Sequence, residues 1–411
     1  MRKQPIKKTK NKNVSNRQDS GRNQSGLRAY NERRILSLLR QLGHAPKAEI
    51  SQLTGLSAQS ITVIMNELEK EQLVLKLPPV KGKVGQPSVP FCLNPEGAFG
   101  IGLKIGRRSY ELTLIDFCGN VKATLKENFS YPKIDTLLKF LDKGSKSIML
   151  SLSSIKIAKI AGVGVATPYE IWNWAEQAGA PDSELTLWKD FDFSLHVKSV
   201  FNLPVYICND DTAACSAELS FGNSEKFSDF LYAFIGTFIG GAVVLNGTLF
   251  TGKNGNAGAI GSLPQVVIDE QGNRRTNQLI MQSSIYILEE KLNAEGVDSS
   301  QLFKSTDYWS DLGTIVDDWI EQVSSGLAQT ALTSLALLDL EGIVIDGSLP
   351  TEIRKQIVDK TLEKLSESDF RGLNRCKVVA GTIGAKAQSI GSASLPLLAS
   401  FSHESEHLFT M

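Results

Sequence analysis

An Asn-Asp pair follows the apolar segment PVYIC, which has the composition of a buried strand. The carboxylate of Asp210 can accept hydrogen bonds from ligand hydroxyls, and Asn209 stands beside it at the strand end. We therefore expect both residues to bind a ligand. An alternative makes Asp210 the N-cap of the following helical segment, DTAACSAEL, because aspartate accepts hydrogen bonds from the first N–H groups of a helix. The two roles are compatible, and both remain open.

A second polar group lies in segment 166–193, after the strand-like run AGVGVATP. It combines tryptophans with amides and carboxylates, namely Trp172, Trp174 and Trp188 with Glu170, Asn173 and Glu176. Aromatic faces beside such groups are typical of carbohydrate sites, so we expect Glu170 and Asn173 to contact a ligand. The alternative is an ordinary packed loop, since tryptophan is usually buried.

Glycines crowd segment 236–261, GTFIGGAVVLNGTLFTGKNGNAGAIG. They predict tight turns or a backbone that approaches a ligand closely, and we expect Gly258 at such a contact. The stretch GNAGAIGS (255–262) contains no carboxylate, imidazole, amine or thiol. This loop predicts binding without catalysis, and we assign no catalytic residue.

The cysteines and histidines do not indicate a metal site. The five cysteines show no CxxC or CxC spacing, which is typical of a reducing compartment. His403 and His407 in HESEH match the H-E-x-x-H zinc pattern, but they lie in the last nine residues, where chains fray. We expect no metal and no cofactor.

Positive charge is concentrated at the N-terminal end. Residues 1–97 hold 17 Lys and Arg against 7 Asp and Glu, whereas the remainder holds 27 against 37. A basic segment on an acidic body predicts contact with a polyanion. Residues 1–26 have almost no large apolar side chains, and we expect a disordered basic tail there. The alternative is a solvated tail that has no partner.

Residues 27–90 have the proportions of a winged helix-turn-helix domain. One helix begins near Pro46, Gly55 marks a turn, and Ser57 is a suitable N-cap for a second helix. Opposite its apolar face, the second helix carries side chains that can pair with base edges or phosphates: Gln59, Ser60, Thr62 and Asn66.

Two lysines complete the predicted DNA-binding surface. Lys81 and Lys83 lie in a Gly/Pro-rich loop between two short predicted strands, where a wing contacts phosphates. The alternative for residues 27–90 is a three-helix dimerisation module. The combination of periodicity and charge favours DNA binding.

The rest of the chain alternates strands and helices, which predicts an α/β body of two lobes. Strands are predicted at FGIGLKIG, SYELTLIDF and NVKATLKENF, and a helix across 134–158. The run LYAFIGTFIGGAVVLNGTLF predicts a hairpin turning at LNG, and helices are expected near 276–292 and 312–337. No apolar run is long enough to span a membrane.

Three segments in this order resemble the ROK family of bacterial sugar kinases and sugar-responsive repressors. They are FGIGLKIGRRSYELTLIDFCGNV, CNDDTAACSAEL and GTFIGGAVVLNGTLFTGKNGNAGAIG, and the winged helix before them points to the repressor branch. The resemblance covers residues 27 to about 400. It implies an actin-like ATPase fold with a sugar in the cleft between two lobes. We expect the first lobe over 98–210 with a C-terminal helix over 392–411, and the second over 211–391.

The sequence departs from the ROK kinases where phosphate and metal would be held. Their D-x-G-x-T loop corresponds here to Lys104, Gly106 and Arg108, and a lysine cannot ligate Mg²⁺. Their E-x-G-H motif corresponds to Ala259 through Ser262, and their CxCGxxGC zinc cluster is missing.

Two aspartates occupy positions that the resemblance singles out. Asp346 stands in IDGS, where the kinases have a nucleotide-contacting glycine pair. Asp210 corresponds to their general base, which removes a proton from the sugar hydroxyl.

These observations predict a cytoplasmic transcriptional regulator, a repressor of carbohydrate genes and not an enzyme. We expect its partners to be a duplex DNA operator, a sugar or sugar derivative in the cleft, and further copies in a homodimer or homotetramer. One alternative is an active ROK sugar kinase with an added DNA-binding domain. Another is a ligand-independent repressor whose body only oligomerises.

Overall fold

The computed structural model describes residues 19–80, 88–222, 227–268, 272–304, 309 and 312–402. An N-terminal head, residues 19–93, precedes a body, residues 98–402, that contains two five-stranded mixed sheets. Within these described ranges, every helix is too short or too polar to cross a bilayer.

The head is a helical domain with a small antiparallel sheet of order β1-β3-β2. Its elements are α1 (Asp19–Leu42), β1 (His44–Pro46), α2 (Lys47–Thr54), α3 (Ala58–Lys70), β2 (Val74–Lys76) and β3 (Pro90–Leu93). The Ser57 side chain accepts a hydrogen bond from the Ser60 N–H, which confirms the predicted cap of α3. Gly55 ends α2 at φ +69°, the left-handed turn that the sequence predicts.

Two features of the head differ from the prediction. Helix α1 begins at Asp19, within the segment expected to be a disordered tail, and residues 1–18 lie outside the described residues. Extending a helix that is already nucleated costs far less than starting one, so a polar segment can continue α1 toward its N-terminus. Strand β1 is too short to be recognised from its sequence pattern, and pairing with β3 creates it.

The first lobe is built on a sheet of order β6-β5-β4-β7-β8. Its elements are β4 (Phe99–Ile105), β5 (Ser109–Asp116), β6 (Val121–Asn128), α4 (Ile134–Leu150), α5 (Ser154–Ile157), β7 (Ile160–Thr167), α6 (Ala175–Ala178), α7 (Asp182–Thr186), α8 (Phe193–Phe201) and β8 (Val205–Asn209). The three predicted strands β4, β5 and β6 are confirmed. The helix predicted across 134–158 is divided, because the Ser153 side chain caps a separate α5.

The second lobe repeats this arrangement with the sheet order β11-β10-β9-β14-β15. Its strands are β9 (Phe230–Ile235), β10 (Ile239–Leu245), β11 (Thr248–Phe250), β14 (Gly342–Gly347) and β15 (Lys377–Ala380), and β12 (Pro264–Ile268) pairs with β13 (Arg274–Gln278). Its helices are α9 (Asp210–Phe221), α10 (Ile280–Ser283), α11 (Ile285–Ala294), α12 (Gln301–Lys304), α13 (Thr314–Leu338) and α14 (Thr351–Ser366). The last helix, α15 (Ala387–Phe401), packs on the first-lobe strands β4 and β7.

Two predictions for this lobe need correction. The hairpin at LNG joins β10 to β11, and an additional turn at 236–238 separates β9 from β10. The helix expected over 276–292 starts later, because residues up to Gln278 pair as β13. Sheet pairing overrides local helix preference there.

Helices α9 and α15 pack against each other in the middle of the body. A methyl group on Gly391 would lie 1.8 Å from the Ala213 carbonyl oxygen, so only glycine allows this approach. The buried hydroxyls of Ser216 and Ser394 are 3.0 Å apart. The other side of α15 lies on β4 and β7, where Gly102 leaves room for its backbone.

Candidate functional site

A cleft between the two lobes encloses a cavity of about 640 Å³. Its first-lobe wall includes Lys104, Arg107 and Glu111, and its second-lobe wall includes the turn around Thr237. The starts of α9 and α15 form its floor. Both lobes therefore contribute polar and charged groups to the same cleft.

Asn209 ends β8 and caps α9. Its Oδ1 accepts hydrogen bonds from the backbone N–H groups of Asp211 (2.9 Å) and Thr212 (3.3 Å). The interpretation of Asp210 as the helix cap is therefore corrected, because the residue before it performs that role. A helix has one N-cap, and Asp210 is its first helical residue, so its carboxylate is available for other partners.

Asp210 lines the cavity although its exposed fraction is only 6%. Its Oδ2 accepts a hydrogen bond from Gln388 Nε2 at 3.2 Å. Burial raises the pKa of Asp210, and the positive charges of Arg107 and Lys104 partly offset that rise. A buried carboxylate with few protein donors can accept hydrogen bonds from ligand hydroxyls.

Sequence reasoning missed Asp211, which lines the same cavity. Gln388 Nε2 also donates to its Oδ1 at 3.2 Å. Burial, with the neighbouring charge of Asp210, raises the pKa of Asp211 well above its ordinary value. The repeated aspartate in CNDDT was the available signal. Nothing near it in sequence points to Gln388, because that residue is 177 positions away.

The loop after β7 contributes the two predicted residues Glu170 and Asn173 to the cavity lining. Asn173 Nδ2 donates to Glu170 Oε2 at 2.7 Å. Trp174 also lines the cavity, with its ring 5.4 Å from that of Phe238. By contrast, Trp188 is 1% exposed and donates its indole N–H to a backbone carbonyl, so it is a core residue.

The glycine-rich loop reaches the cavity through Asn256, Ala259 and Ser262. Gly258 itself is not among the residues that line the cavity. At φ +82° it packs on β10, where a methyl group would lie 2.6 Å from the Ala242 Cα. Its conformation therefore positions the loop and does not bring its own backbone into the cavity.

Four cationic side chains line the first-lobe wall. Lys104 and Lys126 lie 3.7 Å and 3.4 Å from Glu111 Oε1. Burial raises the pKa of Glu111, but the two lysines outweigh that effect and hold it below its ordinary value. Arg108 pairs with Glu289 at 3.3 Å, whereas Arg107 stacks its guanidinium 4.0 Å from the Phe238 ring centroid.

The exposed face of α3 carries all four residues predicted to contact DNA: Gln59, Ser60, Thr62 and Asn66. Thr62 Oγ1 donates to a backbone carbonyl of α3, and Asn66 Oδ1 accepts from Lys47 Nζ at 3.4 Å. Val63 is 52% exposed on the same face. The sequence does not predict this exposure, because an apolar residue inside an amphipathic helix is expected to be buried. Lys81 and Lys83 lie outside the described residues.

Comparison with known proteins agrees with this architecture. A sequence model described as ROK family matches residues 100–397, and one described as winged helix-turn-helix DNA-binding matches residues 28–74. A crystal structure of a ROK family transcriptional regulator, a homolog of the E. coli MLC protein, superposes with a TM-score of 0.63 at 20% identity. It covers 92% of this chain and 98% of that one. At this identity the likeness shows the fold alone.

Curated relatives include repressors and kinases. The uncharacterized protein y4fQ of Sinorhizobium fredii is 24% identical over 91% of this chain and 92% of its own length. The xylose repressor of Bacillus spizizenii is 24% identical over 58% of this chain and 62% of its own length. The N-acetylmannosamine kinase of Haemophilus influenzae is 27% identical over 50% and 67%.

The family match extends over well more than half of the chain. The prediction of a winged helix-turn-helix followed by a two-lobed body is confirmed. The chain belongs to the ROK family.

Proposed function

We propose that the protein is a transcriptional repressor of carbohydrate genes that senses a sugar or sugar derivative in the inter-lobe cleft and transfers no phosphate. The proposal rests on one observation, which is that two helices connect the cavity to the DNA-binding head. Helices α9 and α15 both begin at the cavity and both end against the DNA-binding head. Relatives named as xylose repressors support the choice of repressor.

The cavity end of this connection is formed by Asp210, Asp211 and Gln388. At the other end, Phe221 of α9 and Phe401 of α15 pack under the head. The guanidinium of Arg40 in α1 lies 5.7 Å from the Phe221 ring centroid, and the hydroxyls of Ser37 and Ser402 are 3.4 Å apart. Fifteen helical residues carry α15 about 20 Å from cleft to head.

The packing of the two helices favours their movement as a unit. Their backbones are in direct contact at Gly391, and close-packed interfaces have discrete arrangements rather than continuous ones. A ligand that contacts Asp210 and draws the lobes together shifts this pair and thereby biases the head. Coupling of this kind supports a ligand-responsive repressor over one whose body only oligomerises.

The first-lobe wall supports the absence of phosphotransfer. Where the ROK kinases place a carboxylate for the metal nucleotide, Lys104 lies beside Glu111. An ammonium group repels Mg²⁺, and phosphoryl transfer depends on a correctly placed metal. These residues do not fit a magnesium nucleotide. Without a bound phosphoryl donor, Asp210 cannot act as the general base of a phosphoryl transfer.

DNA binding also leads us to expect a particular compartment, an oligomeric state and specific base contacts. A protein that binds operators works in the cytoplasm, and paired half-sites favour a homodimer or homotetramer formed by the body. Gln59 and Asn66 would read adenine edges, and Val63 would contact a thymine methyl group.

The test uses the full-length protein with duplex DNA selected from a random pool. We expect nanomolar binding that weakens steeply with salt, and at least a tenfold affinity change when the effective sugar is added. Gln59→Ala should weaken binding to the selected site more than binding to random DNA, whereas Gln301→Ala, an exposed glutamine of the body, should change neither. Equal losses on both kinds of DNA would remove Gln59 from base recognition.

The kinase alternative requires its own assay. Protein incubated with ATP, Mg²⁺ and a panel of hexoses should form no sugar phosphate above background. Turnover that Asp210→Asn abolishes would establish a kinase and contradict the proposal.

A further inference from the structure

Arg107 differs from the other cationic side chains that line the cavity. Lys104 and Lys126 share Glu111, and Arg108 pairs with Glu289. Arg107 makes no ion pair or hydrogen bond with any side chain in the described part of the chain, and its buried Nε has no acceptor there. Among the described residues that line the cavity, Arg107 is therefore the cation whose charge has no direct partner.

The guanidinium of Arg107 lies over the ring of Phe238. Its central carbon lies 4.0 Å from the Phe238 ring centroid, a cation–π contact that holds one face of the group. Stacking of this kind leaves the in-plane N–H groups available, and they match the two oxygens of a carboxylate or phosphate. Burial lowers the pKa of Arg107 to about 10, so the side chain is still charged at neutral pH.

Asp210 and Asp211 are the nearest internal counter-charges, but they do not satisfy Arg107. Their charges act on it from a distance, and no ion pair joins it to either carboxylate. Both carboxyls have pKa values raised by burial, which makes them weaker counter-ions. A half-buried charge without a direct counter-ion is unfavourable, and an anionic ligand would supply that counter-ion.

We propose that the effector is a sugar derivative bearing a carboxylate or phosphate, and that Arg107 binds this anionic group while Asn209 and Asp210 bind its hydroxyls. This inference rests on the proposed sugar-sensing function and specifies its ligand class. The volume of about 640 Å³ is within the range of about 300–1,000 Å³ that small-molecule sites occupy.

Isothermal titration of the full-length protein tests the proposal with four kinds of probe. They are neutral sugars (glucose, mannose and xylose), uronic acids (glucuronate and galacturonate), sugar phosphates (glucose 6-phosphate and mannose 6-phosphate) and inorganic phosphate. At least one charged sugar should bind about 10- to 100-fold more tightly than its neutral counterpart. Binding by the uronic acids or by the phosphates identifies which anion the site accepts.

Variants of Arg107 test the anion contact, and an arginine outside the cavity provides the control. Arg107→Met keeps an apolar side chain over Phe238 and should reduce affinity for the charged sugar to that for the neutral one. Arg107→Lys should retain part of the preference. Arg371→Met, at an exposed ion pair outside the cavity lining, is the control and should change affinity less than threefold. Melting temperatures of the variants verify that each is folded.

Three outcomes would overturn the inference. If neutral and charged sugars bind equally and Arg107→Met changes neither, the anionic ligand class is wrong while sugar sensing stands. If inorganic phosphate binds as tightly as the sugar phosphates, the hydroxyl contacts are wrong. If no probe binds the wild type, both this inference and the proposed sugar sensing fail.

Discussion

Two buried aspartates, one at the end of a strand in each lobe, have very different surroundings. Asp346 in β14 is fully buried and accepts hydrogen bonds from Tyr232 Oη (3.0 Å) and from the Gly384 N–H (3.1 Å), as well as from the Arg354 guanidinium. Asp210 after β8 accepts one side-chain hydrogen bond, from Gln388, and lines the cavity. Burial raises the pKa of both carboxyls.

This difference distinguishes an aspartate that stabilises the fold from one that can still accept hydrogen bonds from a ligand. The donors around Asp346 are all supplied by the protein, so a ligand has nothing to add, and the family position for a nucleotide-contacting glycine pair has become part of the core. The carboxylate of Asp210 keeps accepting capacity that only a ligand or water can use. The two carboxylates therefore differ in what they can still bind: that of Asp346 is satisfied within the protein, whereas that of Asp210 is accessible from the cavity.

Arg354→Met should give the largest effect, by leaving the Asp346 carboxylate buried without its cation. Removing one partner of a buried ion pair costs about 3–5 kcal/mol in the free energy of unfolding. Urea denaturation measures this loss. Arg371→Met, at an exposed ion pair with Asp369, is the control and should leave stability unchanged. A loss below about 1 kcal/mol would mean that Asp346 is not held by Arg354.

Gln388→Leu should have the next largest effect, because it removes the side-chain donor that Asp210 and Asp211 share. A hydrogen bond to a charged group contributes about 1.5–3 kcal/mol, and unfolding free energy should fall by that amount. Gln301→Leu, at an exposed position, controls for the substitution itself. Unchanged stability in Gln388→Leu would show that the two carboxyls do not depend on α15.

Asp211→Asn should change how stability depends on pH. Because the pKa of Asp211 is raised in the folded protein, the native state holds a proton that the unfolded state releases. The contribution of this group to the free energy of unfolding is complete below its unfolded pKa, near 4. It is lost as the pH rises through the folded pKa. Asp211→Asn should remove that part of the decline in melting temperature with rising pH. A wild-type profile in the variant would exclude Asp211 as its source.

The sequence predicts most of this fold because the buried strands are continuous apolar runs and the helices carry clear caps. Ser57 and Gly55 are where local chemistry requires them. The ends of helices and strands are less predictable where strand pairing determines them. At β13, a segment predicted to be helical pairs with β12 instead.

The site is only partly predictable from sequence, because its members come from distant segments. Asn209 and Asp210 follow a recognisable strand, but which of them caps α9 depends on the backbone at that point. Gln388 joins the site only because α15 crosses the body. Arg107 has no distinguishing sequence feature beside Arg108, and only the structure shows that one is paired and the other stacked.

Asp210→Asn should have the smallest effect on stability and a decisive effect on function. Asparagine has the same shape, and its Oδ1 can still accept the hydrogen bond from Gln388 Nε2. It also removes a charge that burial disfavours, so the free energy of unfolding should change by less than about 1 kcal/mol. Asparagine is a weaker acceptor for ligand hydroxyls, however, so the ligand-induced rise in melting temperature should disappear and operator binding should stop responding. Asp190→Asn, on the exposed surface, should keep both responses. If Asp210→Asn also keeps both, the effector binds elsewhere, and the contrast between Asp210 and Asp346 concerns folding alone.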